Sequence, residues 1–510
     1  MSDGGTVTRR DFWPDWAPYG AAGLALVFYL LLAVLSAGPG LPLDDGWIHQ
    51  TYARNLAQEG RLAFSPGSPS AGSTAPLWTA LLALGYLLRL PPLLWAYTLG
   101  ALAFLALIWA AMRLWRVLWP GYARRSWVAG LALALSWPLV WAAGSGMETL
   151  LFIALGFVLL AEFMEGEASA TRLGLLAGVL ILARPEGLIL AVLLAMAMVI
   201  QGQGRRVAVF IAAGLLPLLP YFAFNLSVSG VLWPNTFYAK QSEYAVLLAR
   251  PLPQRFLQLL YFSLGGPESG WRGISGAHLV LAPGLLIAAW RSLRQDGWRR
   301  RLWRTLPLLW AGGHVLAYAA RLPVTYQHGR YLWAALPVWI LFGLAGGAHI
   351  LGRLQRDSLQ GRLLGRTAAA VFAVLLLLFV FLGATAYAED VAFVQHEMVD
   401  VALWIADNTP VDALVAAHDI GALGYFAPRP LLDLAGLVSP QVIPMLQDEE
   451  ALARYVQEQG ADYLVTAPGW PYHELRDDQD ARLLYDTGYE WTRRQGLNNM
   501  AVYQLGVVDG

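Results

Sequence analysis

The chain has 510 residues, 57% of them hydrophobic and only 14% charged, with a mean hydropathy of +0.48. Soluble domains carry about 25% charged residues, so this composition excludes a large soluble enzyme and marks an integral membrane protein. The formal charge of zero conceals a split, +14 over residues 1–388 and −14 over residues 389–510; with no contiguous basic domain and no cysteine, it excludes nucleic-acid binding, disulfides and thiolate chemistry.

The first apolar run, residues 19–36, is too long for a cleavable signal and lacks a small-residue cleavage site, so it predicts a membrane helix. Arg9 and Arg10 then hold the N-terminus in the cytoplasm. Further runs at 92–112, 127–143, 149–162, 173–184, 187–201, 207–224, 279–290, 305–320, 331–350 and 367–388 bring the expectation to about eleven spans, several shorter than the roughly 20 residues a bilayer needs. The run at 76–88 is read as a re-entrant or surface-lying helix. With it left out, the loops bearing Arg113 to Arg125, Arg205 and Arg206, Arg291 to Arg304 and Arg353 to Arg366 all become cytoplasmic. Those loops hold 16 arginines, as the positive-inside rule requires.

The same topology puts "LPLDDGWIHQTYARN", "GSGMET", "ARPEG", "WPNTFYAK" and "YQHGRYLW" on the outer face. The chain therefore reads as a polytopic α-helical membrane domain over 1–388, with a first external loop over 39–91. A small extracytoplasmic domain follows over 389–510. There, helical patterns alternate with short apolar strands in "DALVAAHDIGALGYF", "ADYLVTA" and "MAVYQL", which predicts an α/β arrangement.

Candidate chemistry lies in the external segments. Asp44 and Asp45 sit at the membrane surface, where two adjacent carboxylates repel and one is pushed toward the range of a general base; the plainer role is to cap the following helix. Glu148 stands at an outer helix end with no cation nearby in sequence. Arg184 and Glu186 flank Pro185, as donor-site residues or as an ion pair closing a turn. Lys240, beside Tyr238, and Arg330, beside Tyr331, suit an anionic headgroup, Arg as a fork and Lys as a point charge; the alternative is snorkelling to ordinary lipid phosphates. His418 and Asp419 in "AHDIG" either face the membrane site or cap a turn. The single lysine leaves no phosphate-loop motif, and neither a zinc-protease nor a nucleophile-elbow motif occurs.

The first-loop sequence "LPLDDGWIHQTYARNLAQEGRLAFSPGSPSAGSTAPLWTALLAL", followed in order by "GMET", "RPEG", "PNTFYAK" and "GRYL", resembles the GT-C polytopic glycosyltransferases. The likeness is greatest to the arabinofuranosyltransferase branch that builds mycobacterial arabinan. The resemblance implies a GT-C fold and a polyprenyl-phosphate sugar donor. It also implies a glycan or lipid acceptor, an active site outside the bacterial inner membrane, and a catalytic base within the pair Asp44 and Asp45. That branch often carries an arginine where Thr51 stands and a β-rich C-terminal module where this chain reads as α/β. A divalent cation bridging carboxylates and phosphate is compatible with this chemistry, although the sequence shows no dedicated cage. A lipid-linked-sugar flippase and a non-catalytic scaffold are the competing classes.

Overall fold

The computed structural model describes residues 15–265, 274–353, 358–470, 472–477 and 481–506. Arg9 and Arg10 lie outside them. The helices of the first part run in chain order as α1 (Ala17–Ala37), α2 (Asp44–Glu59), α3 (Pro76–Leu87), α4 (Pro92–Leu118), α5 (Ser126–Ala134), α6 (Trp137–Gly144), α7 (Thr149–Glu165), α8 (Ala170–Ala183), α9 (Gly187–Ile200), α10 (Gly204–Leu215) and α11 (Leu219–Ser229). There follow α12 (Asn235–Glu243), α13 (Leu252–Ser263), α14 (Ala282–Leu293), α15 (Trp298–Arg321), the single turn α16 (Tyr326–Gly329), α17 (Leu336–Arg353) and the long α18 (Leu359–Phe393).

Among the described residues, five helical stretches are long and apolar enough to cross a bilayer, or six if the bent pair α5–α6 counts as one. The expectation of eleven differs for a physical reason. The run 127–143 breaks near Pro138, where the two halves bend by 62°, because proline removes a donor and clashes with the preceding turn. Several other runs close as helices of 12 to 17 residues, α7, α8, α9 and α14 among them. The 76–88 run forms the short helix α3, starting at Pro76.

Lipid-facing character is written on the outer helices. Leu24, Leu31 and Leu35 of α1 and Val374, Leu377 and Phe381 of α18 are all at least half exposed. Helix contacts inside rely on small residues, which let backbones approach. A Cβ on Gly346 of α17 would stand 1.8 Å from the carbonyl oxygen of Gly284 on α14.

Helix α18 leaves the bundle through a π-helical stretch, Val394–Val399, and passes into α19 (Asp400–Asn408). Beyond it lies a five-stranded sheet. A small hairpin, β1 (Ala63–Ser65) with β2 (Ser68–Pro69), belongs to the first loop. The sheet is formed by β3 (Val415–Ala417), β4 (Leu431–Asp433), β5 (Tyr463–Thr466), β6 (Arg482–Asp486) and β7 (Ala501–Gln504) in the order β4-β3-β5-β7-β6. The first three are parallel; β7 runs antiparallel to both β5 and β6. Helices α20 (Gly421–Phe426) and α21 (Glu449–Glu458) fill the connections. Residues that follow β3 and β4 meet the membrane part, His418 at Glu243 and Leu437 at a cavity in the bundle.

Candidate active site

Helix α2 begins at Asp44 after the extended residue Leu43, so both carboxylates fall in its first turn, where the helix dipole favours negative charge. Successive residues of a helix diverge by about 100°, and the pair separates accordingly. Asp44 turns to α20: one oxygen accepts from the Gly421 N–H at 2.6 Å, the other from Ala422 at 2.7 Å. Asp45 turns to a cavity of about 640 Å³, where it accepts from the Arg330 guanidinium. A Cβ on Gly421 would stand 2.1 Å from the Asp44 carbonyl oxygen, so the two helices meet only because position 421 is bare.

The two carboxyls sit in opposite electrostatic settings. Burial pushes Asp44 up to about 7, helped by the charge of Asp419 and opposed by its two backbone donors. Its neighbour Asp45 is the smallest contributor, so the repulsion expected from adjacency is minor. Burial also pulls Asp45 upward, but the cations Arg330 and Lys240 outweigh it and hold the group at about 2.

One turn along α2, His49 lies on the same face as Asp45, with Nε2 3.1 Å from Glu148 Oε2. The other Glu148 oxygen accepts from Arg184 Nη1 at 2.8 Å. Arg184 reaches Glu186 at 3.3 Å through Nε and Nη2, and Tyr318 at 3.1 Å; the Tyr318 hydroxyl also donates to Glu186. The local pair Arg184 and Glu186 thus exists, and Glu148, which has no cation near it in sequence, joins it across helices.

Lys240 donates to Glu243 at 3.0 Å, one turn along α12. Burial lowers the ammonium's affinity for its proton, and the carboxylate of Glu243 more than restores it. Glu243 meets His418 Nε2 at 3.5 Å, and His418 Nδ1 meets Asp419 at 3.2 Å. Burial pulls the His418 imidazole down, but its two carboxylate partners carry it to about 10, so it stays protonated near neutral pH.

The cavity gathers Asp45, Glu148, Arg184, Glu186, Lys240, Arg330 and Tyr331 from the sequence-derived set. Four others lie off it. Asp44 is engaged by α20. Tyr238 points elsewhere while its neighbour Phe237 lines the wall, a shift of one residue on a helix. His418 and Asp419 form more than a turn cap: they reach the membrane part through Glu243, behind Lys240. His49, Tyr318 and Arg321 line the cavity and escaped the sequence reading. The four-residue spacing from Asp45 to His49 was a usable signal for the first. Arg321 ends α15 like a snorkelling residue; its guanidinium donates to the Phe237 carbonyl at 2.6 Å. Buried Arg330 keeps its Nε without a partner, leaving a donor for a ligand. Leu188, Ile189, Val192 and Leu193 of α9 with Leu322 give the cavity an apolar flank, while Ser73, Thr74, Thr236 and Gln241 add neutral polar groups. Among the described residues no cluster of three or more His, Asp or Glu side chains is placed to hold a metal ion.

Residues 386–503 match a family described as "Domain of unknown function (DUF8728)". No curated protein matches the chain. Solved structures match almost all of it. ArnT from Cupriavidus metallidurans in the apo state is 16% identical over 95% of this chain and 96% of that one, with a TM-score of 0.58. In the structure bound to undecaprenyl phosphate the figures are 18%, 95%, 97% and 0.56. The Archaeoglobus fulgidus oligosaccharyltransferase, in complex with Zn and sulfate, is 14% identical over 88% of this chain and 68% of that chain, with a TM-score of 0.56. The mycobacterial arabinofuranosyltransferase AftD is more distant, at a TM-score of 0.48 and 17% identity over 96% of this chain and 40% of its own. The chain has the fold of the GT-C glycosyltransferases, an α-helical membrane body with a small α/β region at its C-terminal end.

Proposed function

We propose that this chain is a membrane glycosyltransferase that moves a sugar from a polyprenyl-phosphate donor to an acceptor hydroxyl, inverting the anomeric centre. The observation that carries the reading is the meeting of Asp45, Arg330 and Lys240 on one cavity that also has an apolar flank. ArnT, of the same fold, is known with undecaprenyl phosphate bound, which supports this class of donor. The first-loop resemblance makes arabinofuranose the first sugar to test.

Arg330 offers a fork and Lys240 a point charge to the phosphate, with Arg321 as a third cation on the same wall. The polyprenyl tail follows α9, whose Leu188, Val192, Met196 and Val199 are exposed along one flank. The Asp45 carboxylate takes the acceptor's proton as its oxygen attacks the anomeric carbon. The bond from that carbon to the phosphate oxygen breaks, and the electron pair leaves with polyprenyl phosphate, whose added negative charge the cations stabilise.

Before the donor arrives, Asp45 is a weak base, because its cations hold it near 2. A phosphate competes for Arg330 and Lys240, and a carboxylate that loses its cations becomes more basic. Base strength is thereby tied to donor occupancy. The reading also assigns residues 1–388 as the catalytic membrane domain and 389–510 as an extracytoplasmic cover. Helix α7 supports that orientation: Glu148 at its start faces the cavity, while Glu162 and Glu165 at its far end pair with Arg113 and Arg172, residues of the arginine-rich side. The site then opens outside the bacterial inner membrane.

The test is Asp45→Asn in nanodiscs. Transfer from a polyprenyl-phosphate sugar falls by about 10²–10⁴, while undecaprenyl phosphate binds as well as before or tighter, since its competitor is neutral. Transfer near the wild-type rate overturns the assignment.

A further inference from the structure

Arg330 is delivered to the cavity by an unusual piece of backbone. Gln327, His328 and Gly329 take φ of +51°, +60° and +67° in succession. Side chains of L residues resist this left-handed region, and glycine alone enters it freely. At 329 a side chain is impossible on a second count, since a Cβ would stand 2.1 Å from a ring carbon of Phe262. Gln327 is exposed, and its carbonyl accepts from the Arg330 N–H within the turn. The anchor is His328.

Its Nε2 lies 2.8 Å from Asp390 Oδ2 on α18, and the same oxygen accepts from the Trp141 indole at 2.7 Å. The ring stands edge-on to Trp137 at 5.3 Å and to Trp141 at 5.9 Å. Its backbone carbonyl accepts from Trp333 Nε1 at 3.2 Å. Asp390 is the charged group in contact with the imidazole, and Glu389 lies beside it on α18.

We propose that His328 and Asp390 form a positioning clamp that holds the left-handed turn and so aims Arg330 at the donor phosphate. The clamp rests on the reading of Arg330 as a phosphate ligand. It acts through the backbone: residues 327–329 sit between the anchored imidazole and the guanidinium, and any relaxation of the turn swings Arg330 off Asp45 and off the phosphate. Arg330 is 6% exposed, so it has no solvated alternative position close by.

The experiment measures undecaprenyl phosphate binding to the full chain in nanodiscs, for wild type and five variants. Arg330→Met weakens binding by about tenfold to a hundredfold, the weight of a charge-assisted contact. His328→Ala and the isosteric Asp390→Asn each weaken it by about twofold to tenfold, as for one lost hydrogen bond. Gln327→Gly alone leaves it near wild type. Gln327→Gly combined with His328→Ala recovers most of the loss, because glycine accepts the turn without an anchor; a merely structural histidine gives no such rescue. If Arg330→Met weakens binding and both His328→Ala and Asp390→Asn match wild type, the clamp is wrong and the phosphate reading stands. A double variant no better than His328→Ala also overturns the clamp. If Arg330→Met binds as wild type, the phosphate reading itself fails.

Discussion

Two carboxylates in this molecule show how differently burial can be used. Glu397, in the π-helical stretch below the sheet, is fully buried. Its Oε1 accepts from Thr492 at 2.5 Å and Asn499 at 2.7 Å, and its Oε2 from Thr487 at 2.7 Å and the Met500 N–H at 2.8 Å. All four donors are neutral groups of the chain itself. Asp45, in the cavity wall, has a cation as its direct partner and an open side. A carboxylate saturated by neutral donors is a fixture, since nothing a ligand brings can replace four aligned donors at once. A carboxylate balanced by cations that also face an open cavity is exchangeable, because an arriving anion can take over its partners. The difference separates the joint that carries the α/β region from the cavity proposed as the active site.

The largest effect is expected at the joint. Glu397→Ala removes the acceptor of three buried donors and of the half-buried Thr487 hydroxyl, with Asn499 keeping its contact to the Tyr489 carbonyl; at about 1–3 kcal/mol for each buried donor left unsatisfied, it is expected to lower stability by roughly 3 kcal/mol. Thermal unfolding in detergent reads this directly; an unchanged transition removes Glu397 from the groups that hold the fold. Lys240→Met probes the exchangeable side. It should weaken undecaprenyl phosphate binding by about tenfold to a hundredfold with little change in unfolding temperature, and equal affinity for wild type and variant would make Lys240 a lipid anchor.

The smallest effect belongs to Asp44, which sharpens the contrast because it is adjacent to Asp45 yet lies on the structural side. Asp44→Asn should keep transfer within about tenfold of wild type, well above Asp45→Asn. Its signature is instead in stability against pH. The folded-state value near 7 lies above the ordinary 3.8, so the folded chain retains a proton that the unfolded chain has released. That contribution is complete below about 4 and is lost as pH rises through about 7. Asp44→Asn should flatten the slope in that window; a slope matching wild type would assign it to other groups.

Much of this was legible in the sequence, and the reasons for the failures are local. Charge and apolar runs located the bundle, and "DALVAA", "ADYLVTA" and "MAVYQL" became β3, β5 and β7. Strand β6 has little apolar alternation to betray it, with burial that is mostly partial or absent along its five residues. Polar segments far apart in sequence pointed to one cavity because intramembrane and interfacial charge is costly and must be gathered. Which of Asp44 and Asp45 faces it was beyond a linear reading, since the answer depends on the angle at which α2 starts. Tyr238 failed for the same reason, one position of helical phase from Phe237. Glu148 found its partners on α2 and after α8, contacts at a sequence distance no local pattern encodes.

The seam between α2 and α20 has a consequence for biogenesis. Asp44 and Asp45 are synthesised well before Gly421 and Ala422, the partners of Asp44, which lie 377 and 378 residues further along the chain than Asp44. His418, which steadies Glu243 behind Lys240, arrives with them. A nascent or prematurely terminated chain can therefore insert its bundle and still lack a finished site. The surroundings of Asp44 and Glu243 are complete only once the segment from His418 to Ala422 has been made and has docked on the bundle.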